Sequence, residues 1–124
     1  MTQERLTLGR QGERLAAEYL QRAGYRILEK NYRTRLGEID LIAQDGRTLV
    51  FVEVKTRGTK TFGAPQEAVT KKKQQQLIRV AQEYLGREKL ANRPARFDVV
   101  AVLFDKAEVV IELIKNAFEL NPGG

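Results

Sequence analysis

The sequence predicts an α/β domain in which helices flank a mixed β-sheet, in the element order α-β-β-β-α-β-β. Apolar residues recur at helical spacing in two segments, and five other segments are short apolar or alternating runs rich in β-branched residues. The second helical segment falls between the third and fourth strands, where it can act as the crossover that a parallel pair requires. This order is typical of a sheet packed against helices.

The first helix is predicted over about residues 3 to 23. Ala16, Ala17 and Leu20 share one stripe of this segment at helical spacing, so that stripe should face the sheet. Gly24 follows at the position where a glycine commonly ends a helix.

Three strands are predicted next, over residues 25–33, 38–44 and 48–56. The dipeptide Asp45-Gly46 between the last two strands is a strong signal for a tight hairpin turn. Short connections join strands that are neighbours in the sheet, so the three strands should form an antiparallel meander.

A second helix follows a loop. Residues 57–69 are rich in Gly, Thr, Lys and Pro, which is typical of a loop. Thr70 can cap a helix that runs to about Leu85, with Gly86 ending it, and residues 87–95 are predicted to be a connector.

Two further strands, residues 96–104 and 108–114, complete the sheet through a short turn at 105–107. The chain should therefore form a single domain over residues 1–120. The polar end, residues 121–124, is expected to be disordered.

The composition restricts the chemistry that the domain can perform. The chain has 22 Lys and Arg against 16 Asp and Glu, a formal net charge of +6, which attracts polyanions such as DNA but also serves solubility. It has no Cys and no His, so thiol nucleophiles, Cys or His zinc sites and imidazole bases are excluded. Carboxylates, lysines, hydroxyls and backbone groups remain.

The same composition bears on location. The absence of Cys fits a reducing compartment. The first residues carry charges throughout, and no apolar run approaches 18 residues, so we expect no signal peptide, no membrane span and a cytoplasmic protein.

The predicted hairpin carries an unusual set of charges in apolar strands. A two-residue turn at Asp45-Gly46 would set Glu38 opposite Glu53 and Asp40 opposite Phe51. Since side chains alternate between faces, the four charges of the hairpin should project from one face: Glu38, Asp40, Glu53 and Lys55. Like charges that face each other on a sheet repel, so a cation should compensate them.

Magnesium is the natural compensating cation, because it takes carboxylate oxygens, retains waters and can acidify one of them. The alternative is structural. In that interpretation the hairpin charges face solvent at an edge of the sheet and pair with Arg33, Arg35 or Lys55.

Glu13 adds a further carboxylate. It lies three, four and seven residues before Ala16, Ala17 and Leu20, so it shares the stripe of the first helix that faces the sheet. An inward carboxylate needs a partner, which is either the same cation or a basic residue at the edge of the stripe.

With these residues in place, the chain resembles the PD-(D/E)xK nuclease superfamily. The resemblance rests on Asp40, on Glu53 followed two residues later by Lys55, and on Glu13 in a preceding helix; Ile39 stands where the superfamily's Pro would be. The closest layout is that of archaeal Holliday junction resolvases. Nearly the whole chain is also similar to the bacterial YraN family, through segments such as "GEIDLIAQDG" and "LVFVEVKTR".

The superfamily resemblance implies a restriction-endonuclease-like fold and a Mg²⁺- or Mn²⁺-dependent endonuclease acting on DNA. It implies that Asp40 and Glu53 are metal ligands, that Glu13 is an additional ligand, and that Lys55 lies beside the attacking water. Likeness to junction resolvases makes branched DNA a candidate substrate and a homodimer a candidate assembly. A non-catalytic nucleic-acid-binding module or partner adaptor with the same fold is the alternative function.

Basic residues outside the hairpin are candidates for contact with DNA phosphates. These are Arg57 and Lys60 in the predicted loop and the run Lys71, Lys72 and Lys73 that opens the second helix. A run of lysines is also common on a solvated helix face, so both interpretations stay open.

Overall fold

The structure is a computed structural model that describes residues 2–58, 69–106 and 108–118, with side chains from residue 8 onward. Lys60, most of the predicted loop, Ala107 of the predicted turn and the predicted disordered tail lie outside the described residues. The described chain contains α1 (Thr2–Arg22), β1 (Arg26–Thr34), β2 (Gly37–Asp45), β3 (Thr48–Gly58), α2 (Lys71–Arg87), β4 (Ala95–Asp105) and β5 (Glu108–Phe118).

The five strands form one mixed sheet in the spatial order β1-β2-β3-β4-β5. All neighbouring strands are antiparallel except β3 and β4, which are parallel and joined across α2. The predicted fold class, meander and crossover are confirmed. A helix lies between β3 and β4 because two parallel strands cannot be joined by a tight turn.

The two helices cover opposite faces of the sheet. Ala16, Ala17 and Leu20 of α1 pack on one apolar cluster, whereas Leu77 and Tyr84 of α2 belong to the other. The small alanines let α1 approach closely, and the buried side chains of both clusters supply the hydrophobic stabilisation. Within the described residues neither helix is long and apolar enough to cross a membrane.

The N-terminus of α2 is confirmed and its C-terminus differs from prediction. The Thr70 hydroxyl accepts a hydrogen bond from the Lys73 backbone N–H at 3.2 Å, which is the predicted cap. Gly86 does not end the helix, because α2 continues to Arg87 and Lys89 adopts the positive φ of 58° that the turn requires. A lysine thus takes the conformation that glycine was expected to supply.

The turn of the β2–β3 hairpin lies one residue further along the chain than predicted, which changes the register of the two strands. Asp45 pairs with Thr48, so the turn is Gly46-Arg47 rather than Asp45-Gly46. Gly46 has φ 62° and Arg47 is not in the positive-φ region, which suits a turn with Gly at its first central position. The predicted pairing of Asp40 with Phe51 is therefore wrong.

The corrected register changes the neighbours of both acidic strand residues. Phe51 pairs with Ile42, and the ladder ends at the pair Leu41 and Val52. Glu38 pairs with Arg33 of β1 and not with Glu53, so that prediction is also wrong. Moving the centre of the turn by one residue brings Asp40 next to Glu53.

A buried charged network lies near the turn end of the sheet. Asp98 is fully buried and accepts hydrogen bonds from Arg96, from the Tyr25 hydroxyl and from the Asn116 backbone N–H. Arg96 also bonds Asp45 at 3.0 Å, which ties β4 to the hairpin. Each polar side chain of this network has a partner, so the network is structural.

Candidate functional site

The candidate site forms where β2 and β3 separate. Beyond the last paired residues of this ladder, the Asp40 carboxylate takes the place of the β2 backbone and accepts a hydrogen bond from the Val54 N–H at 2.8 Å. A side-chain acceptor satisfies a strand N–H that would otherwise lose its partner. The bond also fixes the Asp40 carboxylate against β3.

Glu53 is the buried acid of the site, with only 6% of its surface exposed. Its carboxyl group shares a hydrogen bond with that of Asp40. Burial, followed by this bond and by repulsion from Asp40, raises the pKa of Glu53 to about 8. A pKa raised to this extent favours the protonated form of Glu53 at neutral pH.

Two lysines face the Glu53 carboxyl group. The Nζ atoms of Lys55 and Lys73 each lie 3.8 Å from Glu53 Oε2. Both distances are longer than a hydrogen bond, so the lysines lower the pKa of Glu53 less than burial raises it. Lys73, predicted only as a DNA contact, is thus brought to the acidic pair.

Glu13 reaches the site from α1. Burial and repulsion from Asp40 and Glu38 raise the pKa of the Glu13 carboxyl group. The helix can come this close because Gly12 lies against β3, where a Cβ atom would overlap Thr56 Oγ1. The glycine therefore allows the approach that brings Glu13 near Asp40.

Glu38 and Glu53 lie on opposite faces of the sheet, so the prediction that all four hairpin charges share one face is wrong. Glu53 meets Lys73 of α2. Glu38 belongs to the α1 side, where the Asn31 amide nitrogen, oriented toward the carboxylates, lies 3.2 Å from Glu38 Oε1 and 3.1 Å from Glu13 Oε2.

The break in alternation occurs at Asp40. Ile39 packs in the cluster under α2, but Leu41, two residues later, packs in the cluster under α1. On the neighbouring strand, Asn31 has φ 52°, a conformation that Asn adopts more readily than most residues. Sequence reasoning missed the role of Asn31, because an Asn within a predicted strand is indistinguishable from an ordinary exposed polar residue.

One cleft, which we call the central cleft, has a volume of about 710 Å³ and opens between α1 and the end of β3. Glu13, Asp40 and Lys55 line it, together with Arg57. Glu53 lies beneath this surface rather than on it. The cleft therefore presents two carboxylates and two cations to a ligand.

The predicted DNA contacts fall into separate places. Arg57 lines the central cleft, whereas Lys71 and Lys72 are exposed at the start of α2. Lys73 is half-buried against Glu53. The three lysines therefore do not form one uniform basic face.

The donor set suits a small hard cation held by few protein ligands. Within the described ranges, no group of three or more acidic side chains is arranged to hold an ion. Magnesium is usually bound by one or two carboxylates, with waters and substrate phosphates completing its shell. Asp40, which lines the central cleft, and Glu53, which is buried next to it, fit that requirement, and a cation there would relieve the crowding of their charges.

Comparison with known proteins places the whole chain in one family. A protein from Syntrophus aciditrophicus is 54% identical over 123 residues, covering 99% of this chain and 96% of its own length. A protein from Moorella thermoacetica is 52% identical over 120 residues, covering 95% and 100%. Each carries the name UPF0102 protein. A sequence model of the family described as "Uncharacterised protein family UPF0102" also matches residues 12–102 of this chain. The chain therefore belongs to the UPF0102 family, which is the YraN family expected from its sequence.

Proposed function

We propose that this protein is a metal-dependent DNA endonuclease that hydrolyses phosphodiester bonds. The proposal rests on the shared hydrogen bond between Asp40 and the buried Glu53, next to a cleft that Lys55 lines. Strongly shifted acids in a cleft are typical of functional sites. A purely structural acid would be expected to meet a cation at hydrogen-bond distance, whereas both lysines stand 3.8 Å from Glu53.

Asp40 and Glu53 are the proposed ligands for Mg²⁺ or Mn²⁺, and Glu13, which lines the same cleft as Asp40, is the proposed additional ligand. Bound there, the cation would offset charge on a substrate phosphate and acidify a water. Glu53 would have to release its proton in order to hold the cation, because its pKa is raised, so metal affinity should rise with pH.

Lys55 is the proposed catalytic cation. In the hydrolysis a water oxygen attacks phosphorus and loses a proton to solvent, the bond from phosphorus to the leaving sugar oxygen breaks, and the sugar oxygen takes up a proton. Negative charge grows on the phosphate oxygens during this step. The Lys55 ammonium lines the cleft and can stabilise that charge or orient the water, because a fixed cation acts most strongly where charge develops.

The substrate is proposed to be DNA in the cytoplasm, with branched or junction DNA as the candidate form. Arg57, Lys60, Lys71 and Lys72 are the proposed phosphate contacts, with Lys73 acting mainly on Glu53. A junction is cut on two strands, which requires two sites related by symmetry and hence a homodimer.

A second candidate function is a non-catalytic nucleic-acid-binding module or partner adaptor. The proximity of Lys55 and Lys73 to Glu53 favours it, because the two lysines already compensate part of the acidic charge. In that case the acidic pair and its lysines would only stabilise the fold.

Metal binding and cleavage separate the two candidates. Isothermal titration calorimetry with Mg²⁺ and Mn²⁺ should show binding that disappears in Glu53→Gln. A cleavage screen over branched, nicked, single-stranded and duplex DNA with each metal should show product for the wild type and none for the variant. Absence of both metal binding and cleavage would overturn the endonuclease and favour the binding module.

A further inference from the structure

A second cleft lies beside the carboxylates, on the side of the sheet edge formed by β1. This cleft, which we call the basic cleft, has a volume of about 280 Å³. Its charged and polar lining consists of Arg10, Glu13, Arg14, Lys30 and Asn31. It shares Glu13 with the central cleft, so the two clefts adjoin.

The charges of the basic cleft do not balance. Three cations line it, whereas Glu13 is its single carboxylate. Arg10 and Arg14 lie one turn apart on α1, a spacing at which like charges repel. In the described part of the chain none of Arg10, Arg14 and Lys30 forms a salt bridge, although Arg33 nearby pairs with Glu38 at 3.4 Å.

The position of the basic cleft matters as much as its charge. The strand order places Lys30 of β1, which lines the basic cleft, and Arg57 of β3, which lines the central cleft, on opposite sides of Asp40 in β2. Cations thus flank the acidic pair on both sides. A concave surface in which one sign of charge predominates focuses the field and attracts counter-charge.

We infer that the basic cleft binds a backbone phosphate of the nucleic acid strand that crosses Asp40 and Glu53, through Arg10, Arg14 and Lys30. The inference rests on the proposed function for the identity of the strand as DNA. All three side chains are exposed, which suits phosphates on a long polyanion better than a small anion that needs an enclosing site. A strand held on both sides of the acidic pair continues past the cut in both directions, as an endonuclease requires.

The test compares two double variants that each remove one Arg and one Lys. Arg10→Ala/Lys30→Ala alters the basic cleft, and Arg47→Ala/Lys115→Ala removes equal charge at exposed positions outside it. Binding of a labelled branched DNA and a labelled duplex is measured by fluorescence anisotropy over a range of salt, with chelator and no divalent metal. Melting curves of all proteins verify that the variants are folded.

The cleft variant should bind DNA more weakly, with a slope of log affinity against log salt that is shallower by about 1 to 2, because a protein that neutralises fewer phosphates releases fewer counterions. The control variant should keep the wild-type slope. Equal slopes in the two double variants would overturn the inference. A competition experiment gives a second outcome that would overturn it. If millimolar inorganic phosphate at matched ionic strength removes the difference in DNA affinity between the two double variants, the basic cleft is a site for a small anion.

The DNA-binding measurement tests the basic cleft and the cleavage measurement tests the endonuclease, so either proposal can fail without the other. If the cleft variant has the shallower slope but the wild type cleaves no DNA with either metal, the basic cleft stands and the endonuclease fails. If the wild type cleaves DNA and both double variants bind like it, the endonuclease stands and the basic cleft fails.

Discussion

The carboxyl groups of Asp40 and Glu53 share a hydrogen bond where β2 and β3 separate, and the backbone N–H of Val54 holds Asp40 in place at 2.8 Å. Burial and the neighbouring Asp40 raise the pKa of Glu53 to about 8 at the position proposed for a divalent cation. Stability, pH dependence and metal response of the protein should all depend on this pair.

Glu53→Gln should leave the metal-free protein equally stable or up to about 1 kcal/mol more stable at neutral pH, because Gln keeps a donor for Asp40 without the cost of a buried acid. Magnesium should raise the melting temperature of the wild type more than that of the variant, since a ligand of the native state stabilises it. Thermal melts with and without Mg²⁺ measure both effects. Glu83→Gln on the exposed face of α2 is the control and should respond to Mg²⁺ as the wild type does. A lower metal-free stability of Glu53→Gln with equal metal responses would identify a structural salt bridge.

The stability of the metal-free wild type should fall with rising pH relative to Glu53→Gln. The pKa of Glu53 is about 8 in the folded protein and 4.5 as its ordinary value, so the folded state binds more protons between these values. The stability that the protein gains from protonation of Glu53 is therefore greatest below pH 4.5 and is lost as the pH rises through about 8. Urea unfolding of both proteins at several pH values gives the difference. A difference that stays flat across this window would contradict the raised pKa.

Lys55→Ala should retain DNA and metal binding but reduce cleavage by about 100-fold or more, because its role is exercised mainly in the transition state. Single-turnover cleavage and anisotropy measure the two properties separately. Lys115→Ala removes an exposed lysine of β5 and should cleave at the wild-type rate. Undiminished cleavage by Lys55→Ala would remove Lys55 from the mechanism.

The lysine run at the start of α2 should divide into two functions. Lys71→Ala/Lys72→Ala should reduce the slope of log DNA affinity against log salt by about 1 for each phosphate that is no longer neutralised. Lys73→Met should instead raise the pKa of Glu53 further, because Lys73 lowers it in the wild type. Carbon-detected NMR titration of the Glu53 side chain measures that pKa. An unchanged pKa in Lys73→Met would mean that Lys73 has little electrostatic effect on Glu53, and an unchanged salt slope would place the DNA surface elsewhere.

Gly12→Ala should destabilise the protein by about 1 to 3 kcal/mol, because its Cβ would overlap Thr56 Oγ1 where α1 meets β3. Thr56→Ala in the same protein should restore most of the stability. Gly9→Ala, in the same helix with nothing within 4 Å of an added Cβ, should stabilise it by about 0.5 to 1 kcal/mol through helix propensity. Denaturant unfolding compares the four proteins. Destabilisation that Thr56→Ala fails to rescue would place the conflict elsewhere.

Local structure and topology were predictable from residue spacing. Periodic apolar residues such as Ala16, Ala17 and Leu20 predicted α1 and its buried face, and Thr70 predicted the start of α2. These features depend on neighbours within a few residues, so they can be inferred from the order of residues alone. The parallel pair followed from a crossover helix between two strands, because the connection rules leave few other arrangements.

Strand register and helix packing decide which charged side chains lie next to each other, and local sequence patterns do not predict them. Moving the turn to Gly46-Arg47 exchanged the partners of Asp40, and the positive φ of Asn31 accompanies the break in alternation that separates Glu38 from Glu53. The approach of Lys73 to Glu53 joins two distant parts of the chain through the packing of α2 on the sheet. Register and helix packing sum many small interactions over the whole domain, so no short segment of the sequence specifies them.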